Sequence, residues 1–191
     1  MDLFCWRRSA DLHQFNTLKA TLPHLLKSAS KNPNTGTNSS SGGRIIFISA
    51  TFHFTGMPLQ AHVAVAKAGV DALSASAAIE YGPRGVTSNV ISPGPIMGTE
   101  GMARLGNREA ESSGAAYKKV PLQRYGTVKE IADGTVYLFS DAGNFVNGEV
   151  LVIDGGDWRS PGAPGATKSE YPDYLLDDSM VRQKSGKSSK L

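Results

Sequence analysis

Lys67 and Asp71 stand four residues apart in the run HVAVAKAGVDAL. On a helix that spacing puts an ammonium and a carboxylate on one face, within mutual reach. On a solvated surface such a pair is worth about 0.3–0.5 kcal/mol and does nothing more. In a cleft the same two groups can orient a ligand and manage a proton. A second run, SPGPIMGTEG, closes an apolar strand-like segment. Pro93 and Pro95 around Gly94 cannot continue a ladder, so the backbone there is fixed. Main-chain groups near Ile96 can then meet a ligand, with the Thr99 hydroxyl beside them; the plain alternative is a strand-ending turn. Met97, Met102 and Leu105 suit a pocket for varied apolar chains, because thioethers adapt, or equally the packing face of a short helix. His62 is either a donor to substrate or a capping or packed histidine. His13, His24 and His53 have no ligand partners at useful spacing, so no metal site is expected. The single cysteine, Cys5, excludes an intramolecular disulfide and fits a reducing compartment.

The elements that must position these residues alternate. Arg44 to Ser49 (RIIFIS) is a continuous β-branched and aromatic run, which predicts a strand covered on both faces. From about residue 58 to 81, Val65, Ala68, Gly69, Ala72, Ala75 and Ile79 form a helical stripe. Val86 to Ile91 reads as the next strand, Glu130 to Ser140 as a helix with Ile131, Thr135 and Leu138 on one face, and Glu149 to Ile153 as a last strand. Upstream, Phe15 to Ser28 is helical in spacing, with Pro23 as a kink. Strand, crossover helix and parallel strand together predict an α/β fold with an open sheet, whose ligands sit beyond the carboxyl ends of the strands. Ser49 to Thr51, Pro93 to Thr99 and Asp154 to Trp158 fall on that edge. Three parts follow: an unmatched segment over 1–14, a folded domain over 15–159, and a flexible, disordered tail over 160–191.

A chain of 191 residues fits one domain. The net charge of +3, from 20 basic and 17 acidic residues, does not suggest a nucleic-acid partner. No apolar run approaches the roughly 20 residues of a membrane span, and no secretory leader is visible. A soluble intracellular protein is expected. The last three residues, Ser189-Lys190-Leu191, form a receptor-read peroxisomal address, so an import receptor is an expected partner.

The runs HVAVAKAGVDAL and PGPIMGTEGMARLG resemble the peroxisomal 2,4-dienoyl-CoA reductases. PLQRYGTVKEIADGTVYLFSD and NFVNGEVLVIDGG are similar to the wider short-chain dehydrogenase/reductase superfamily. The likeness covers residues 15–158. It implies the C-terminal part of a Rossmann-like, doubly wound parallel sheet. It also implies NADPH as cofactor, an unsaturated fatty acyl-CoA as substrate, and a homo-oligomer formed through the late helices. By the same resemblance Lys67 is catalytic and holds the nicotinamide ribose, while Asp71 helps position a water as proton source. Ser49, Pro93, Gly94, Ile96 and Thr99 join Lys67 in cofactor binding, with Ile96 near the carboxamide. Thr51, His62, Met97 and Met102 face the substrate.

Two departures qualify the likeness. The superfamily usually carries a tyrosine four positions before its lysine; here Val63 stands there, and the usual serine is displaced into the run Ser49-Ala50-Thr51. An alcohol-dehydrogenase mechanism therefore fails, whereas reduction of a conjugated enoyl thioester accommodates both changes. The Gly-rich pyrophosphate turn, G-x-x-x-G-x-G or G-x-G-x-x-G, also appears nowhere. The expectation is an N-terminally truncated domain with an exposed sheet edge. Two other readings stay open: a non-catalytic fragment that only associates with family members, and another peroxisomal acyl-CoA or carbonyl reductase of the same fold.

Overall fold

Three parallel strands carry the sheet: Gly43–Ile48 (β1), Val86–Pro93 (β2) and Val150–Ile153 (β3), in the order β1-β2-β3. The structure, a computed structural model, describes residues 10–37, 42–57, 60–105 and 116–160. The segment 1–9, the tail from 161 with Ser189, Lys190 and Leu191, and the side chain of Leu105 lie outside the described residues. The helices are Ala10–Lys31 (α1), Phe52–Thr55 (α2), Ala61–Tyr81 (α3), Glu100–Leu105 (α4) and Val128–Phe139 (α5).

Register separates the two faces of the sheet. Phe47 pairs with Val90 and Val90 with Val150, so these three point to one side. There they meet Leu18 of α1 and Val70 and Ala77 of α3 in the buried core. Ile48, Ile91 and Leu151 form the next row and point the other way. That side is covered by α5, which approaches so closely that a Cβ added at Gly134 would stand 2.4 Å from Ile153 Cδ1. Helices on both faces of a parallel sheet make the fold doubly wound, as expected.

Three details differ from the sequence reading. The inward face of α3 is Ala66, Val70, Ser74, Ala77 and Ala78. The stripe predicted to be buried lies largely opposite, with Val65 50% and Ile79 78% exposed. The helix is apolar nearly all round, so periodicity could not choose a face. Second, α1 begins at Ala10 and runs through Pro23 to Lys31, longer than Phe15 to Ser28. Third, β1 is not covered on both faces. It is the edge of the described sheet, and Ile48 remains 42% exposed.

Polar ties hold the layers in place. The Arg44 guanidinium donates to the carbonyls of Leu138 (3.0 Å) and Ser140 (2.6 Å) and to Asn144 Oδ1. A cation on the last carbonyls of α5 satisfies groups that a helix end leaves orphaned. Asn89 donates to the Val146 carbonyl and accepts from the Glu149 N–H, which locks the entry of β3 against β2.

The start of α5 is built by a capping box. Thr127 Oγ1 accepts from the Glu130 N–H, and the Glu130 carboxylate accepts from the Thr127 N–H. Arg124 adds a bidentate pair to the same carboxylate, at 2.9 and 2.6 Å. Hydrogen bonds from Arg124, then from the Thr127 backbone, lower the Glu130 pKa from 4.5 to about 2. A folded pKa below the unfolded one stabilises above about pH 4.5 and is lost as pH falls towards 2. Glu130→Gln is therefore expected to flatten the fall of the melting temperature across that window. Parallel slopes for the two proteins between pH 5 and 3 would refute it.

Candidate active site

The carboxyl ends of β1 and β2 and the loop after β3 converge on one edge. Ladder-like bonds continue past the strands: Ser49 N–H to the Ile91 carbonyl (2.8 Å), Thr51 N–H to Pro93 (3.3 Å) and Gly94 N–H to Ile153 (3.0 Å). Asp154 closes the edge, accepting from the Gly156 and Trp158 N–H groups at 2.8 Å each. All three segments expected on this edge are there.

Lys67 reaches it from α3. Its Nζ donates to the Ile48 carbonyl at 2.8 Å. In a parallel ladder alternate residues face the partner strand, and Ser49 faces β2. The Ile48 carbonyl therefore points from the outer edge of β1, and the ammonium takes the place of a strand donor. Burial pushes the Lys67 pKa below its ordinary 10.5, and the Asp71 carboxylate opposes that shift.

Asp71 sits one turn on, on the same helix face, but its contact is not Lys67. His53 Nε2 lies 2.8 Å from Asp71 Oδ2, with only 7% and 15% of the two side chains exposed. The other ring nitrogen, Nδ1, bonds the Ala50 carbonyl. Asp71 Oδ1 is buried without a hydrogen-bond partner among the described residues. His53 was missed by the sequence reading, which considered it only as a metal ligand. No spacing could have found it: it lies 18 positions before Asp71, and only the turn after β1 brings α2 onto α3.

The other expected residues divide. Ile96 forms a parallel bridge with Gly126, through Gly126 N–H to the Pro95 carbonyl (3.0 Å) and Met97 N–H to the Gly126 carbonyl (2.9 Å). In that geometry the N–H of Ile96 faces the opposite side, and a carboxamide could meet it. The Thr99 hydroxyl is used locally, donating to the Ile96 carbonyl (2.9 Å) and accepting from the Met102 N–H (3.3 Å) as the cap of α4. Ser49 is buried and its hydroxyl donates to the Lys67 carbonyl at 3.3 Å, so it braces the lysine helix. Thr51 is buried in the turn after β1. Met97 is exposed, Met102 half-buried, and His62 lies exposed on the first turn of α3. A groove of about 530 Å³ lies elsewhere, between α1 and Arg84, and touches none of these residues. No group of three or more His, Cys, Asp or Glu residues among those described could hold a metal ion.

The residues present fit the nicotinamide end of a dinucleotide. Lys67 has three N–H donors and spends one on Ile48, leaving two for ribose hydroxyls. Val63 is half-buried at the position where a proton-donating tyrosine would stand.

Fold and site together define a doubly wound, open parallel sheet with a lysine-bearing helix at its carboxyl edge. The family model described as enoyl-(acyl carrier protein) reductase matches residues 18–157, and the chain belongs to this short-chain dehydrogenase/reductase family. Among curated relatives, a peroxisomal 2,4-dienoyl-CoA reductase ((3E)-enoyl-CoA-producing) of Saccharomyces cerevisiae is 48% identical over 78% of this chain and 46% of its own. A peroxisomal 2,4-dienoyl-CoA reductase of Arabidopsis thaliana is 42% identical over 76% of this chain and 47% of its own. The chain thus spans about half the length of these relatives. Among solved structures, a gluconate 5-dehydrogenase from Burkholderia cenocepacia in complex with NADP and tartrate superposes with a TM-score of 0.64 at 28% identity. That match covers 77% of this chain and 52% of the other. A 3-oxoacyl-[acyl-carrier protein] reductase with bound NAD from Brucella melitensis gives 0.65 at 25% identity, over 83% and 53%.

Proposed function

We propose that this chain carries the substrate-side part of a peroxisomal NADPH-dependent 2,4-dienoyl-CoA reductase, which forms a 3-enoyl-CoA during degradation of unsaturated fatty acids. The observation that carries the reading is the site itself. Lys67 and Asp71 share one helix face at the carboxyl edge of the sheet, with valine at position 63 in place of a phenol. When bound, NADPH supplies a hydride to the conjugated enoyl thioester, and the dienolate so formed takes a proton at carbon. Lys67 holds the ribose and, as a desolvated cation, favours negative charge developing nearby. The free Oδ1 of Asp71 holds a water as the proton source. Ile96 orients the carboxamide, and Met97 and Met102 border the acyl chain. The names of the relatives and the NADP-bound neighbour support the substrate and the cofactor.

Ser189-Lys190-Leu191 and the peroxisomal relatives support import through the address receptor. Unchanged import after deletion of those three residues would remove that part of the reading. A homo-oligomer is proposed through the outward face of α3, where Val65, Ala68, Ala72, Ala75 and Ile79 leave apolar surface in solvent. That face also favours the second reading, a non-catalytic chain that associates with family members. Fluorescence titration with NADPH, alongside turnover of 2,4-hexadienoyl-CoA, separates the two. Saturable binding with turnover is expected; a folded chain that does neither would leave the associating role.

A further inference from the structure

His53 has no assigned part in the reaction, yet its ring is held between two acceptors. Nδ1 faces the Ala50 carbonyl, which can only accept, so that nitrogen carries a proton. Nε2 faces Asp71 Oδ2 at 2.8 Å. At that distance a proton is shared between the ring and the carboxyl group, and the contact ties the two side chains together. The ring is 93% out of solvent and is fixed further by Phe54, whose ring centre lies 4.0 Å away. Phe54 in turn packs on Trp158 at 5.4 Å, from the turn that Asp154 caps. Lys67 stands one turn before Asp71 on α3, and Arg159 stacks 3.8 Å over the Trp158 ring.

We propose that His53 is a positioning residue: held on the turn after β1, its ring pins Asp71 Oδ2 through the Nε2 contact and thereby aims the free Oδ1 at the water that protonates the substrate. A carboxylate on a helix otherwise rotates among staggered side-chain states. One charge-assisted hydrogen bond removes that freedom from one oxygen and leaves the other as the acceptor. This rests on the dienoyl-CoA reductase reading for the identity of the water's target, but the clamp itself does not.

Two measurements keep the clamp and that reading distinguishable. The first is ¹⁵N NMR of the imidazole in the full 191-residue chain at neutral pH. A His53 Nε2 shift set by its hydrogen bond to Asp71 is expected, with loss of that signature in Asp71→Asn. An Nε2 shift left unchanged by Asp71→Asn would overturn the proposal. The second is steady-state turnover of 2,4-hexadienoyl-CoA with NADPH. His53→Phe is expected to lower kcat by about 10- to 100-fold, the range for a lost hydrogen bond to a charged group, with KM little changed. His53→Gln, whose amide can still donate to Oδ2, should recover part of the loss. A merely structural histidine would lower folded yield and melting temperature without that split or rescue. Wild-type kcat in a folded His53→Phe would overturn the positioning role. A wild type that shows the NMR signature but no turnover would uphold the clamp and reject the reductase reading.

Discussion

Lys67→Met is expected to abolish dienoyl-CoA turnover while the fold survives, and it is the largest functional effect a single change here should have. The ammonium does two things that no neutral side chain of its length can do. It presents donors beside the one given to Ile48, and on the reductase reading proposed above it places a positive charge where the thioester would become a dienolate. Losing a positioning contact and a preorganised charge together accounts for a drop of about 10³-fold or more in kcat/KM. Stability should move the other way or not at all. Burial already lowers the Lys67 pKa, so the cation is disfavoured in the fold, and Met keeps most of the apolar stem. The pH dependence supplies a control. Because the folded pKa lies below 10.5, the unfolded chain holds the extra proton between the two values. Wild-type stability should then rise with pH through that alkaline window, and Lys67→Met should lack the rise. Turnover within threefold of wild type in a folded Lys67→Met protein would sink the assignment.

The parts of this site that sequence could show are those carried on one element. Lys67 and Asp71 share a helix face because four residues make about one turn, and that needs no tertiary knowledge. The Pro93-Gly94-Pro95 turn was visible in its residue types, although β2 runs through Pro93, two residues past the end expected at Ile91, and pairs there with Ile153. The parallel sheet followed from the alternation of elements. What stayed hidden depends on contacts between elements. α3 is so rich in Ala, Val and Ser that its apolar face is nearly a full circle, and the buried side includes a serine. Ser74 is accommodated because its hydroxyl meets that of Ser88 at 2.9 Å. Ser49 and Thr99 show a related feature of contacts that sequence does not display. Both were read as reaching for a ligand, and both spend their hydroxyls on nearby carbonyls, one bracing α3 and one capping α4. Small hydroxyl side chains near a helix start usually find backbone first. His53 was the hardest to see, since its meaning lies in a residue on another helix.

Gly94→Ala should be the most damaging small substitution on the sheet edge. A Cβ at Gly94 would stand 2.4 Å from Asp154 Cβ and 2.8 Å from its Cα. Neither atom is the tip of a flexible chain, so backbone has to move. The Gly94 side is tied by its N–H to the Ile153 carbonyl at 3.0 Å, and the following residue is proline. The Asp154 side is tied by its carboxylate to the Gly156 and Trp158 N–H groups. With both walls fixed, the strain resembles overpacking of a core, about 1–3 kcal/mol. For a chain of this length each kcal/mol lowers the melting temperature by roughly 2–4 °C. Whichever wall yields, the turn bearing Ile96 shifts relative to Lys67, so binding of NADPH should weaken more than stability alone explains. Gly101→Ala is the matched control. Its added Cβ meets only Thr99 Oγ1, at 3.9 Å, within helix α4, where alanine is favoured over glycine. Melting curves and NADPH titrations of the two variants side by side test the point. If Gly94→Ala and Gly101→Ala behave alike in both, the contact between the β2 turn and Asp154 does not set the geometry of this edge.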